Sequence, residues 1–100
     1  MTLKEVVWTA KAFKDLISIY NLIAKDSKPA AKKVVESILN REEQLKSQPA
    51  TGTIQRGLKL KKEYRFLIQS HYKIIYREGK TNIYVIKVFD TRQNPKKINR

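Results

Sequence analysis

The stretch YRFLIQSHYKIIYREGKTNIYVIKVFD, residues 64–90, decides the fold. It holds three runs of strand length, each rich in β-branched and aromatic residues. Ser70–His71 separates the first two runs by the spacing of a tight hairpin turn, and Gly79 with Asn82 nearby supplies the next turn. Alternation in the first run puts Tyr64, Phe66 and Ile68 on one face and Arg65, Leu67 and Gln69 on the other. Strand character extends back through GLKLKK, residues 57–62, toward Gln55. Ile83–Phe89 is apolar almost throughout, which predicts a central strand covered on both faces. Three consecutive antiparallel strands make a meander.

Upstream of the meander the apolar period changes. Lys4–Trp8, KEVVW, is one short strand, and Thr9 stands where a helix N-cap would. Phe13, Leu16, Ile17, Tyr20, Ile23 and Ala24 follow at helical spacing, with Lys11, Lys14, Asp15 and Lys25 largely on the opposite face. Ser27 and Pro29 mark a break and a second helix start, because proline suits only the first turn. That helix runs through Ala31, Val34, Val35, Ile38, Leu39 and Leu45 and ends at Pro49 and Gly52, with Glu42 marking where it leaves the core. The apolar positions of both helices have a structural explanation. The order is β-α-α-β-β-β: an α+β fold with a two-helix hairpin packed on a mainly antiparallel four-stranded sheet, the N-terminal strand joining at an edge.

One hundred residues make one domain, 1–100, with a core over about 4–92 and a polar tail at 93–100 that frays. No cysteine is present, which excludes disulfide staples and thiolate metal sites and fits a reducing cytosol. The first fifteen residues carry both charge signs and no apolar run long enough for a signal peptide or membrane span, so a cytoplasmic protein with no membrane contact is expected.

Charge narrows the partners. Lys and Arg number 22 against 9 Asp and Glu, a formal +13. Residues 1–54 hold nine basic and six acidic side chains, whereas 55–100 hold thirteen and three. A field of that sign concentrates polyanions, so nucleic acid or an acidic protein is the expected partner. Lys59, Lys61, Lys62, Arg65, Lys73, Arg77 and Arg92 form the candidate target-binding surface, though alternation alone would also put charges on a solvated sheet face. His71, the only histidine, has a side chain suited to acid–base work, but it stands at a turn where polar residues are usual. One histidine and no cysteine predict no metal site and no cofactor. Tyr72, Tyr76 and Tyr84 read first as packing residues, and Asp90 as a strand-end cap or the ion-pair partner of Arg92.

The order of elements, together with VVWTAKAFKDLISIYNLIA (6–24), YRFLIQSHYKIIYREG (64–79) and IYVIKVFDTRQNP (83–95), resembles the RelE/ParE toxin superfamily. The likeness spans about Glu5 to Pro95. It implies the toxin of a type II toxin–antitoxin pair, held in a heteromeric complex by a cognate antitoxin whose amphipathic segment lays a helix in a groove or a strand along a sheet edge. It implies one of two targets: messenger RNA on the ribosome, cut by RelE-like members, or DNA gyrase, poisoned by ParE-like members. In the nuclease branch Arg65, Lys73 and Arg92 fall where such enzymes carry catalytic basic residues. Arginine clamps phosphate well but is a poor base, so the proton-transfer role is left open. The branch's C-terminal tyrosine has no counterpart after Phe89, and Leu67 replaces a lysine common there. These departures favour the ParE-like reading, in which no catalytic constellation is needed. A non-toxic chain that only binds its antitoxin is the third reading.

Overall fold

The computed structural model describes residues 4–56 and 62–92. Lys59, Lys61, the start of the 57–62 run and the tail 93–100 lie outside the described residues.

Side-chain caps set the helix starts where the sequence puts them. Strand β1 (Glu5–Trp8) leads to Thr9, whose Oγ1 accepts from the Ala12 N–H at 3.2 Å and opens α1 (Ala10–Ala24). Ser27 does the same for α2 (Lys28–Leu39), accepting from Ala30 at 3.2 Å, with Pro29 in the first turn. The second helix does not run on to Leu45. It stops at Asn40, and a separate helix α3 (Glu42–Ser47) begins with two acidic residues in the turn where the helix dipole favours them. Arg41, in the break, donates from Nη1 to Gln69 Oε1 at 3.1 Å. Leu45 is fully buried, so Glu42 marks a bend in the chain and not a departure from the core.

The sheet has five strands where the sequence predicts four. After a 3-10 turn at Pro49–Thr51, the short strand β2 (Thr53–Gln55) pairs antiparallel with β3 (Tyr64–Gln69). β3 continues into β4 (Tyr72–Glu78) and β5 (Asn82–Asp90) as the expected meander, giving the order β1-β5-β4-β3-β2 with β1 parallel to β5 at one edge. Three residues, even with two β-branched members in Thr53 and Ile54, are too few to give β2 a pattern of its own. Its pairing depends on the preceding turn being pinned to the sheet, as shown below.

One side of the sheet carries the core. Leu67, Tyr72, Ile74, Tyr76, Ile83, Val85 and Val88 pack against Ala12 and Leu16 of α1, Ile38 of α2 and Leu45 of α3. β5 is interior to the sheet, but among the described residues it is covered on this side only, not on both as the sequence predicts. Tyr84, Lys87 and Phe89 turn the other way, and the helix side is kept in step by a bulge: Ile75 pairs with Lys87 while Tyr76 pairs with Val85, leaving Ile86 extra. Helix α1 supplies the polar groups that the bulge disturbs. Thr9 Oγ1 donates to Val85 O at 2.9 Å, and Asp15 accepts from the Val88 N–H at 2.9 Å, just where β1 has stopped pairing. Asp15 therefore faces the sheet, contrary to its reading as a solvent-side residue.

Candidate functional site: the open sheet face and the helical groove

Of the seven basic residues singled out in the sequence, the five among the described residues (Lys62, Arg65, Lys73, Arg77 and Arg92) do not form one cluster. Arg65 stands opposite Tyr76 on β4 and shares its side of the sheet. Its Nη1 donates to Gly52 O at 2.8 Å and Ala50 O at 3.2 Å, and its Nη2 lies 3.0 Å from Glu63. The Tyr76 hydroxyl, fully buried, donates to Pro49 O and accepts from the Gly52 N–H at 3.0 Å. Burial raises the Tyr76 phenol above its ordinary value, which keeps it a neutral donor. Together the two side chains fasten residues 49–52 to the sheet and so place β2.

Lys73 lies on the opposite, open side. Across β3, β4 and β5, Ile68, Lys73 and Phe89 stand side by side, Phe66, Ile75 and Lys87 form the next row, and Arg77 stands beside Tyr84. Cations and rings alternate. Lys73 Nζ sits 4.0 Å from the Phe66 ring centre and 6.0 Å from that of Phe89, Lys87 Nζ is 5.3 Å from Phe89, and the Arg77 guanidinium is 4.6 Å from Tyr84. Desolvation between the rings pushes the Lys73 ammonium below its ordinary value. Ile68 on this face is 46% exposed, and no described helix packs here. Lys62 is exposed just before β3. Sequence reading named Lys73 and Arg77 but did not join them to Phe66, Tyr84, Phe89 and Lys87. On β5 the bulge at Ile86 hides the two-residue period that puts Tyr84 on the face of Lys87 and Phe89, and alternation in β3 alone could not say which strand faces Phe66 would share.

Arg92 occupies a third place, past the end of β5. Its Nε and Nη2 grip the Asp90 carboxylate at 3.1 and 3.0 Å. Those hydrogen bonds hold the Asp90 carboxyl below the usual range against the opposing effect of burial. His71 Nε2 is 3.8 Å from the same carboxylate, and its ring rests 4.4 Å from that of Tyr72. Burial, with Asp90 adding to it, raises the Tyr72 phenol. His71, Tyr72, Asp90 and Arg92 thus engage one another at one end of the sheet. Among the described residues no group of three or more His, Asp or Glu is arranged to hold a metal ion, and no helix is long and apolar enough to cross a membrane.

A second surface lies on the helices. Phe13 and Ile17 are 56% and 45% exposed and border an apolar groove of about 450 Å³ between α1 and α2, floored by Leu16, Val35 and Leu39 and flanked by Trp8, Tyr20 and Glu42. Two of the residues assigned to the core stripe of α1 therefore face outward. Ala12, Phe13, Leu16, Ile17, Ile19, Tyr20, Leu22 and Ile23 cover an arc wider than one packed face needs, which was the signal in the sequence.

Residues 6–95 match the family described as ParE toxin of type II toxin-antitoxin system, parDE. Comparison with curated protein sequences finds no match. Among solved structures, a chain of the chromosomal ParDE TA system from P. aeruginosa superposes with a TM-score of 0.74 at 22% identity, covering 90% of this chain and 98% of that one. A chain of the toxin-antitoxin complex RelBE2 from Mycobacterium tuberculosis gives 0.65 at 15% identity, covering 88% and 98%. At these identities the two structures establish the shared fold.

Proposed function

We infer that this chain, which belongs to the ParE toxin family of type II toxin–antitoxin systems, arrests growth by acting on DNA gyrase and is neutralised by a cognate antitoxin. The observation that carries the reading is the divergence of Arg65, Lys73 and Arg92. A ribonuclease needs positive charge and a proton-transfer pair gathered around one phosphate. Here Arg65 is committed to the 49–52 carbonyls, Lys73 lies across the sheet from it, and Arg92 is held by Asp90. An inhibitor that binds its target needs only a face, and the open side of the sheet supplies a basic one.

The helical groove suits the antitoxin. An amphipathic helix with apolar residues at i, i+3, i+4 and i+7 would cover Phe13 and Ile17, and acidic residues on its outer face would complement the formal +13. The same charge opposes association of a second copy at this place.

Controlled induction in cells tests the target. Double-strand DNA breaks with a DNA-damage response and intact transcripts are the expected outcome. Cleaved ribosome-bound transcripts without breaks would instead establish a RelE-like endoribonuclease, and unimpaired growth would leave only antitoxin binding.

A further inference from the structure

We propose that the open face of the sheet is a stacking platform for single-stranded nucleic acid, with Phe66, Tyr84 and Phe89 taking bases and Lys73, Arg77 and Lys87 taking the adjoining phosphates. The proposal deepens the reading of this face as the target-binding surface. It names what the face touches within that target: an unpaired stretch of strand.

A duplex backbone offers phosphates but no free base faces, whereas a single strand offers both, which is what interleaved rings and cations match. This face spends three of its largest side chains on rings, spread over β3 and β5 and interleaved with three cations at 4.0 to 5.3 Å. Successive rows along a strand are two residues, about 6.7 Å, apart. Phe66 and Phe89 stand on strands separated by β4, about 10 Å apart across the sheet. Bases can therefore reach more than one ring while the linking phosphates pass over the cations between them. Single-strand binders combine these parts: aromatic side chains on which bases stack without regard to sequence, and a basic track for the backbone. Lys73 has a particular place here. Seated between Phe66 and Phe89 and partly desolvated, it gains a phosphate partner when a strand arrives, and its ammonium then has both a ring and an anion to offset burial. Half-burial of Phe66, Tyr84 and Phe89 leaves each ring accessible in part, and no described helix covers them.

The test uses the purified full chain without gyrase. Fluorescence anisotropy is measured with labelled dT12, U12 and a 12-base-pair duplex of the same length. The single strands should bind more tightly than the duplex, with log K falling against log salt at a slope of about −2, the value for three phosphate contacts to a single strand. Phe89→Leu and Phe66→Leu keep apolar volume but remove the π-face. Each should weaken single-strand binding by about tenfold with the salt slope unchanged, the loss of one stacked base. Phe89→Tyr should restore binding. Tighter binding of dT12 than of U12 would assign the strand to DNA, and the reverse to RNA; either supports the platform. Equal or tighter duplex binding, or Leu variants that fold by circular dichroism and bind like the parent, would overturn it. Because gyrase is absent, loss of the platform leaves the gyrase reading standing, and an inert gyrase assay leaves the platform standing.

Discussion

A Cβ added at Gly52 would lie 2.4 Å from the Tyr76 hydroxyl and 2.8 Å from Phe66 O, so the position tolerates no side chain without moving the buried tyrosine. Gly52→Ala should therefore destabilise the fold by about 2 kcal/mol, as overpacked sites do. Tyr76→Phe, which leaves the Gly52 N–H and Pro49 O unmatched, should cost about 1–3 kcal/mol. Thermal denaturation checks both, and a melting point within a degree of the parent for Tyr76→Phe would refute the fastening role. Arg65 and Lys73 make a sharper pair. Arg65→Ala removes hydrogen bonds to two carbonyls and should lower stability by about 1–2 kcal/mol, several degrees of melting temperature in a domain this size. Lys73→Ala should leave the melting point within a degree or two while relieving growth arrest. If Lys73→Ala melts early and Arg65→Ala keeps its stability, the assignment of the two faces is reversed. Sequence alternation did separate Arg65 from Phe66, but it could not say which face met the helices. Arg65 read as a surface charge, and only its partners at Gly52 and Ala50 explain why it faces the helix side.

Capping and periodicity were the legible parts of the elements. Thr9, Ser27 with Pro29, and the Ser70–His71 hairpin each act through local backbone geometry, so their roles can be read without tertiary contacts. Ser70 adopts φ 58°, at a turn position where glycine is more usual. Two elements resisted reading for the opposite reason. β2 exists because Arg65 and Tyr76, 10 and more residues away, pin the turn before it. The α1 stripe looked like core because outward apolar residues follow the same helical period as buried ones. That second failure carries a prediction. Phe13→Asp with Ile17→Ser, both at exposed positions, should leave the isolated chain as stable as the parent within about 0.5 kcal/mol. The pair should weaken capture of the co-expressed cognate antitoxin by at least a hundredfold, the scale of an interface hot spot. Unchanged antitoxin affinity by calorimetry would move the antitoxin off this groove.

At the scale of the whole molecule, two faces divide the work. The helices cover one side of the sheet and keep an apolar groove open to a partner, while the other side shows alternating rings and cations. The formal +13 adds a long-range field that would speed encounter with the polyanionic target proposed above, an effect that salt weakens. The fold class was legible from periodicity and the order of elements, and the toxin family from the resemblance carried by residues 6–24, 64–79 and 83–95. The target was not, because it depends on which basic residues converge, and convergence is a property of side-chain direction rather than of composition. The most direct measurement incubates the purified chain with purified DNA gyrase, ATP and relaxed plasmid and follows the plasmid topology by gel. The account predicts loss of supercoiling with accumulation of gyrase-linked cleaved DNA, abolished by adding the antitoxin. Normal supercoiling at a large excess of folded chain would contradict it.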